Sequence, residues 1–125
     1  MFRGKNTKEI GKQGEEIAVE FLKKQGYRIL ERNWTTKFGE IDIIARDGHT
    51  LVFVEVKTRF EGIAGSAEAS IDYRKRRSIS RTALFFLQAT GFDHLDCRFD
   101  VVTVEFCRRG QPRIEHIEDA FRVPA

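Results

Sequence analysis

Gly39-Glu-Ile-Asp-Ile-Ile-Ala-Arg-Asp-Gly-His-Thr-Leu-Val-Phe-Val-Glu-Val-Lys57 reads as two β-strands joined by a tight turn. Ile41 to Ala45 and Leu51 to Val56 are rich in β-branched and aromatic residues, and Asp47-Gly48 between them supplies the positive φ angles that a short hairpin turn requires. With Asp47 and Gly48 at the centre of the turn, Arg46 faces His49 and Asp42 faces Phe53. Side chains alternate along a strand, so Phe53, Glu55 and Lys57 share a face with Asp42, while Val52, Val54 and Val56 point the other way. Glu55 then becomes the diagonal neighbour of Asp42, with Cα atoms roughly 7–8 Å apart.

Three charges among valines and isoleucines need a reason, because an ionised group taken out of water costs several kcal/mol unless it is paired or bound to a metal. One reading is an ion pair in which Lys57 neutralises Glu55 or Asp42 at a wet end of the hairpin. The other is a divalent cation held by Asp42 and Glu55, with Lys57 beside the water that the cation polarises. The hairpin by itself leaves both open.

Upstream, Thr7 to Gln25 has the pattern of a helix. Asn6-Thr7-Lys8-Glu9 resembles a capping sequence, and Gly26 suits the left-handed position past the end. Ile10, Gly14, Ile17, Ala18, Phe21 and Leu22 form its buried stripe. Glu15 lies at the margin of that stripe, where it can look toward the sheet or stand as an ordinary flanking surface acid; Glu16 looks toward water. Gly11 and Gly14 each weaken a helix by about 1 kcal/mol relative to alanine, which suggests a close approach by a neighbouring element. Tyr27 to Trp34 reads as a first strand, with Trp34 in core or edge packing rather than base stacking.

Downstream, Glu61 to Ser70 is a loop of small residues suited to movement over a substrate. A second helix runs from Asp72 to Thr90, with Ile79, Ala83, Phe86 and Leu87 buried and Gly91 ending it. Its first half is Arg74-Lys75-Arg76-Arg77, with Arg81 one turn on. Arg74, Arg77 and Arg81 share a face, either as a phosphate-binding stripe or as a solvated basic face. Arg98 to Cys107 is another strand, and Arg113 to Ile117 adds an edge that would permit a homodimer.

The composition narrows the class. The chain has 125 residues, with 22 Lys and Arg against 19 Asp and Glu, a net charge of +3. A single domain, 1–125, fits that length, and any nucleic-acid site must be a local patch rather than a wholly basic surface. No apolar run reaches the length of a membrane span and Met1 to Asn6 lacks a signal-peptide pattern, so a cytoplasmic protein is expected. Cys97 and Cys107 bracket one strand, too far apart for a disulfide, and are read as reduced, buried thiols. His94 and His116 match no common zinc spacing with them.

Gly11-x-x-Gly14-Glu15 on a helix, Gly39-Glu40-Ile41-Asp42 on one strand and Phe53-Val54-Glu55-Val56-Lys57-Thr58-Arg59 on the next resemble the YraN family of small bacterial proteins, within the PD-(D/E)xK nuclease superfamily. The likeness spans nearly the whole chain, and the same motifs occur at similar spacing in archaeal Holliday-junction resolvases. The superfamily's proline before the aspartate is replaced here by Ile41. The resemblance implies a restriction-endonuclease-like core, an α/β fold with a mixed sheet in the order helix, three strands, helix, one or two strands.

It also implies that Asp42 and Glu55 bind the metal, that Glu15 assists from the helix, and that Lys57 orients or activates water. Glu40 would belong to the outer shell. If Glu15, Asp42, Glu55 and Lys57 converge, their formal charges sum to −2, which one divalent cation balances; all-oxygen ligands favour Mg2+ or Mn2+ over zinc. The expected function is metal-dependent hydrolysis of phosphodiesters, in DNA ahead of RNA, with Arg59, Arg74, Lys75, Arg77 and Arg81 holding the backbone. Backbone contacts carry little sequence information, so shape selectivity is expected. The alternative is a nucleic-acid-binding module with a nuclease fold and no turnover, acting in a repair or recombination assembly; a third reading is a protein-interaction domain whose charges are structural.

Overall fold

The computed structural model describes residues 7–62 and 71–122. Its elements are α1 (Thr7–Lys24), β1 (Arg28–Thr36), β2 (Gly39–Asp47), β3 (Thr50–Phe60), α2 (Tyr73–Thr90), a short 3-10 turn (Phe92–His94), β4 (Asp96–Phe106) and β5 (Arg113–Ile117). This is the expected order, helix, three strands, helix, two strands. The five strands lie in chain order in one sheet; β3 and β4 are parallel and all other pairs antiparallel.

Each helix covers one face of the sheet. Ile79, Ala83 and Phe86 of α2 pack with Ile44, Leu51, Phe53, Phe99 and Val101. Ala18, Val19 and Leu22 of α1 pack with Ile43, Ala45, Val52, Val54, Val102 and Val104. A strand covered on both sides is apolar at every position, which accounts for the unbroken run Leu51 to Val54. Trp34 packs edge-on against Phe86 with ring centroids 5.3 Å apart, the expected core role.

The ends of the helices follow local chemistry. Asp72 caps α2 by accepting a hydrogen bond from the Lys75 amide at 2.8 Å, and Gly91, at φ +75°, closes it. Gly26, at φ +94°, occupies the left-handed position after α1. Gly14 faces β3 so closely that a Cβ there would stand 2.2 Å from Thr58 Oγ1, whereas Gly11 has open space. The expected close approach is therefore real at Gly14 and absent at Gly11. The capping sequence at Asn6 and most of the loop from Glu61 to Ser70 lie outside the described residues.

The hairpin register differs from the sequence expectation by two residues. Asp47 pairs with Thr50, Ala45 with Val52 and Ile43 with Val54, so Gly48-His49 forms the turn. A two-residue loop of this kind needs a positive φ at its first central position; Gly48 has φ +62°, and Asp47 does not have one. A shift of two preserves the faces, because the side-chain period is two. It changes who faces whom, bringing Glu55 rather than Phe53 to the position opposite Asp42.

A buried polar network missed by sequence reasoning fixes β5 on the α1 side. The fully buried Asp100 carboxylate accepts hydrogen bonds from Arg98 Nε at 2.9 Å and Nη2 at 3.0 Å and from the Asp119 amide at 2.9 Å, and lies 2.8 Å from His116 Nε2. Arg98 also donates to the Tyr27 hydroxyl at 2.7 Å. His116 is thus a structural partner of Asp100. Both cysteines are free thiols; Cys107 is buried as expected, but Cys97 is exposed.

Candidate active site

The β2–β3 ladder ends at Ile43 and Val54, although β2 begins at Gly39 and β3 continues to Phe60. Beyond that point β2 stays paired with β1 as far as Gly39, and β3 with β4 as far as Phe60. The sheet forks, and Asp42 sits in the crotch. Its Oδ2 accepts a hydrogen bond from the Val56 amide at 2.8 Å, taking the place of the next backbone acceptor in the ladder.

The face of β2 changes here. Ile41 belongs to the cluster under α2 and Ile43 to the cluster under α1, although residues two apart on a regular strand share a face. On the paired strand Asn33, between the partners of Ile41 and Ile43, adopts a left-handed backbone with φ +50°, a conformation asparagine tolerates better than most residues. Asn33 also hydrogen-bonds the side chain of Glu15 from α1. Thus Glu15 reaches the fork from the α1 side, beside a 260 Å³ pocket lined by Gly11, Val56 and Thr58 among others. Glu16 points outward to Arg32, as expected.

Glu55 enters from the other side. It is 6 % exposed, and its Oε1 lies 3.2 Å from Lys75 Nζ of α2 and 3.8 Å from Lys57 Nζ. The ion pair read from the hairpin is present between Lys57 and Glu55, and Lys75, expected on nucleic acid, also turns inward to Glu55. Burial, and then the Glu55 charge, push the Asp42 carboxyl up to about 7 despite the Val56 hydrogen bond. Glu15 is raised by burial and by Glu40, against its bond to Asn33. Burial would lower Lys75, but Glu55 together with Asp42 and Glu40 outweighs it and holds the ammonium above its ordinary value. Glu40 is exposed, at the edge of this group.

Arg74, Arg77 and Arg81 share one side of α2 as expected, lining a 360 Å³ groove together with Phe38 and Ser78. Arg59 stands apart from that groove, half-buried on β3 two residues beyond Lys57. A further cavity, 570 Å³, lies between the outer flank of α1 and the segment around Pro112; it contains none of the expected catalytic residues.

A sequence-family description, "Uncharacterised protein family UPF0102", matches residues 14–104, a span that runs from the glycine beside Glu15 through the fork and the arginine groove into β4. The chain belongs to the UPF0102 family. A UPF0102 protein of Geotalea uraniireducens is 48 % identical over 118 residues, covering 94 % of this chain and 93 % of that protein. One from Syntrophus aciditrophicus is 46 % identical over 123 residues, covering 98 % and 96 %. Among solved structures, Archaeoglobus fulgidus Hjc, a Holliday junction resolvase from an archaeal hyperthermophile, overlays with a TM-score of 0.40 at 21 % identity, covering 84 % of this chain and 75 % of that one.

Among the described residues, no group of three or more His, Cys, Asp or Glu side chains stands ready to hold a metal ion. Among them, too, no helix is long and apolar enough to cross a membrane. The three carboxylates of the fork nevertheless suit a hard divalent cation in charge and donor type, being all oxygen and short of positive charge at Asp42. As they stand, they are satisfied by Val56, Asn33 and two lysines.

Proposed function

We propose that this UPF0102 protein is a metal-dependent endonuclease that hydrolyses phosphodiesters in DNA and selects nucleic-acid shape rather than sequence. The observation that carries the reading is the fork, where a half-buried aspartate is anchored by a backbone amide opposite a buried glutamate, with Lys57 two residues farther along the same strand. A fold gains nothing in stability by burying two like charges together, so the pairing asks for a chemical reason.

In this reading Asp42, Glu55 and Glu15 hold Mg2+ or Mn2+. The bound cation would supply Lewis acidity, lowering the pKa of water and withdrawing charge from a phosphate oxygen. Lys57 exchanges its contact with Glu55 for the attacking water and the developing phosphate charge, positioning one and offsetting the other. Lys75 releases Glu55 and, with Arg59, Arg74, Arg77 and Arg81, holds the DNA backbone on either side of the cut. β5 is an edge strand, open to a second copy of the chain.

A second reading, a DNA- or RNA-binding module without turnover, is favoured by the two lysines that already balance Glu55 without a cation. Cleavage of labelled single strand, duplex, flap, four-way junction and structured RNA, with Mg2+, Mn2+ or EDTA, separates the two. Wild type should give metal-dependent products, Asp42→Ala none, and Lys57→Ala almost none despite near-normal affinity. If wild type binds the panel equally well with EDTA and cuts nothing, the binding module replaces the nuclease.

A further inference from the structure

Phe38, at the tip of the β1–β2 turn, belongs to neither core cluster. Its backbone is fixed on α2: Ser78 Oγ donates a hydrogen bond to the Phe38 carbonyl at 2.5 Å, and the next residue, Gly39, passes so near that a Cβ would stand 2.2 Å from that Oγ. Its ring leans on Phe85, which is 43 % exposed, with centroids 5.3 Å apart. Two cations approach the ring, Lys37 Nζ at 5.3 Å and the Arg81 guanidinium at 5.7 Å from its centroid.

This ring lies in the wall of the groove formed by Arg74, Arg77 and Arg81. Arginines alone would suit any phosphate backbone. An aromatic face held rigidly among them adds an interaction that a paired, stacked base cannot use and an unpaired one can. The groove and the fork share two elements: β2, which starts after Phe38 and carries Asp42, and α2, on which Lys75, the residue that reaches Glu55, follows Arg74. Exposed cation–π contacts are weak, whereas stacking a base on an aromatic side chain is worth about 5- to 160-fold in affinity. A base can therefore displace a cation from the ring and leave it free for a neighbouring phosphate.

We infer that this groove binds DNA at an unpaired nucleotide, the base stacking on Phe38 while Arg74, Arg77 and Arg81 hold the flanking phosphates. The inference rests on the nucleic-acid reading above and names its substrate class: strand ends, flaps and branch points rather than continuous duplex. The competing structural role, two exposed rings shielding each other on α2, predicts an effect of Phe38 on stability and none on the choice of DNA.

The test is equilibrium binding in EDTA to a single strand, a duplex of the same sequence and that duplex with a short flap. Phe38→Ala should lose about tenfold for single strand and flap and stay within about twofold for duplex, and Phe38→Trp should restore the loss. The paired change Arg77→Glu, Arg81→Glu should weaken all three and flatten the salt dependence. In Phe38→Trp the emission beyond that of wild-type Trp34 should be quenched by single strand and not by duplex. That signal stands even if Phe38→Ala does not fold. Unchanged emission, or Phe38→Ala weakening all three DNAs alike or none, overturns the stacking site and leaves the nucleic-acid reading intact. Wild type binding none of the three overturns both.

Discussion

Replacing Asp42 by asparagine should make this protein more stable, by an amount that depends on pH in a direction the fork dictates. The Asp42 carboxyl moves from an ordinary 3.8 to about 7 on folding, raised by burial and then by Glu55. Between those values the unfolded chain has released the proton and the native protein still holds it. The unfolded state thus binds fewer protons, and stability falls as pH rises, by up to about 1.4 kcal/mol per pH unit. Over roughly three units the ceiling is about 4 kcal/mol, which water and side-chain relaxation in the fork will reduce. Asparagine keeps an oxygen for the Val56 amide and carries no charge.

Urea denaturation of wild type and Asp42→Asn should therefore show an advantage for the variant that grows by about 1–2.5 kcal/mol between about pH 5 and about pH 8.5. An advantage that is constant with pH, or a variant less stable at the alkaline end, would refute the like-charge account of the fork. Adding Mn2+ or Mg2+ at the alkaline end separates the metal question. Cation at ten times its dissociation constant should stabilise wild type by about 1.4 kcal/mol and leave the variant nearly unmoved. If neither protein responds, the carboxylates repel one another but do not bind a cation.

Asp100 should behave in the opposite sense. Burial raises its carboxyl, but hydrogen bonds from His116, Arg98 and Asp119 outweigh that and hold it below the ordinary range, so its contribution is present above that range and is lost as pH falls through the native value. Asp100→Ala, which takes the buried carboxylate away from Arg98, His116 and the Asp119 amide, should cost about 3–5 kcal/mol at neutral pH, and its difference from wild type should narrow in acid; a loss under about 1 kcal/mol in chemical denaturation would refute the network's role. Gly14→Ala should cost about 1–3 kcal/mol, because its Cβ would also meet Thr58 Cβ at 3.2 Å and Cγ2 at 3.3 Å, so that rotating one hydroxyl cannot clear the space. A more stable Gly14→Ala protein, as helix propensity alone predicts, would show that α1 lifts off β3 without penalty.

Local periodicity determined most of this fold in advance. Alternation in Leu51 to Lys57, the helical stripe from Ile10 to Leu22 and the caps at Asp72, Gly26 and Gly91 depend on near neighbours, and each element appears where those neighbours require. Asp42, Glu55 and Lys57 were legible as a candidate site for the same reason: charges on an otherwise apolar strand are anomalous whatever the strand packs against. The hairpin register was less legible, because Asp47-Gly48 and Gly48-His49 are both plausible turns in sequence and produce the same faces; the backbone at Gly48 and the full ladder chose between them.

What only the tertiary structure decided is which distant groups meet at the fork. The left-handed Asn33 that lets β2 change face, its bond to Glu15, and the inward turn of Lys75 join four separate elements, and nothing in the spacing of those residues encodes the angle at which the elements cross. The sequence also placed Lys75 with its basic neighbours, since one helical run of charge looks uniform from outside. Burial divided that run: the half-exposed Lys75 could satisfy the buried Glu55 on β3, while Arg74, Arg77 and Arg81 remained around the outer groove with Phe38. Sequence by itself determined the elements and their apolar faces because those depend on local periodicity; the environment of each charge depended on how two helices close over a sheet that splits between β2 and β3.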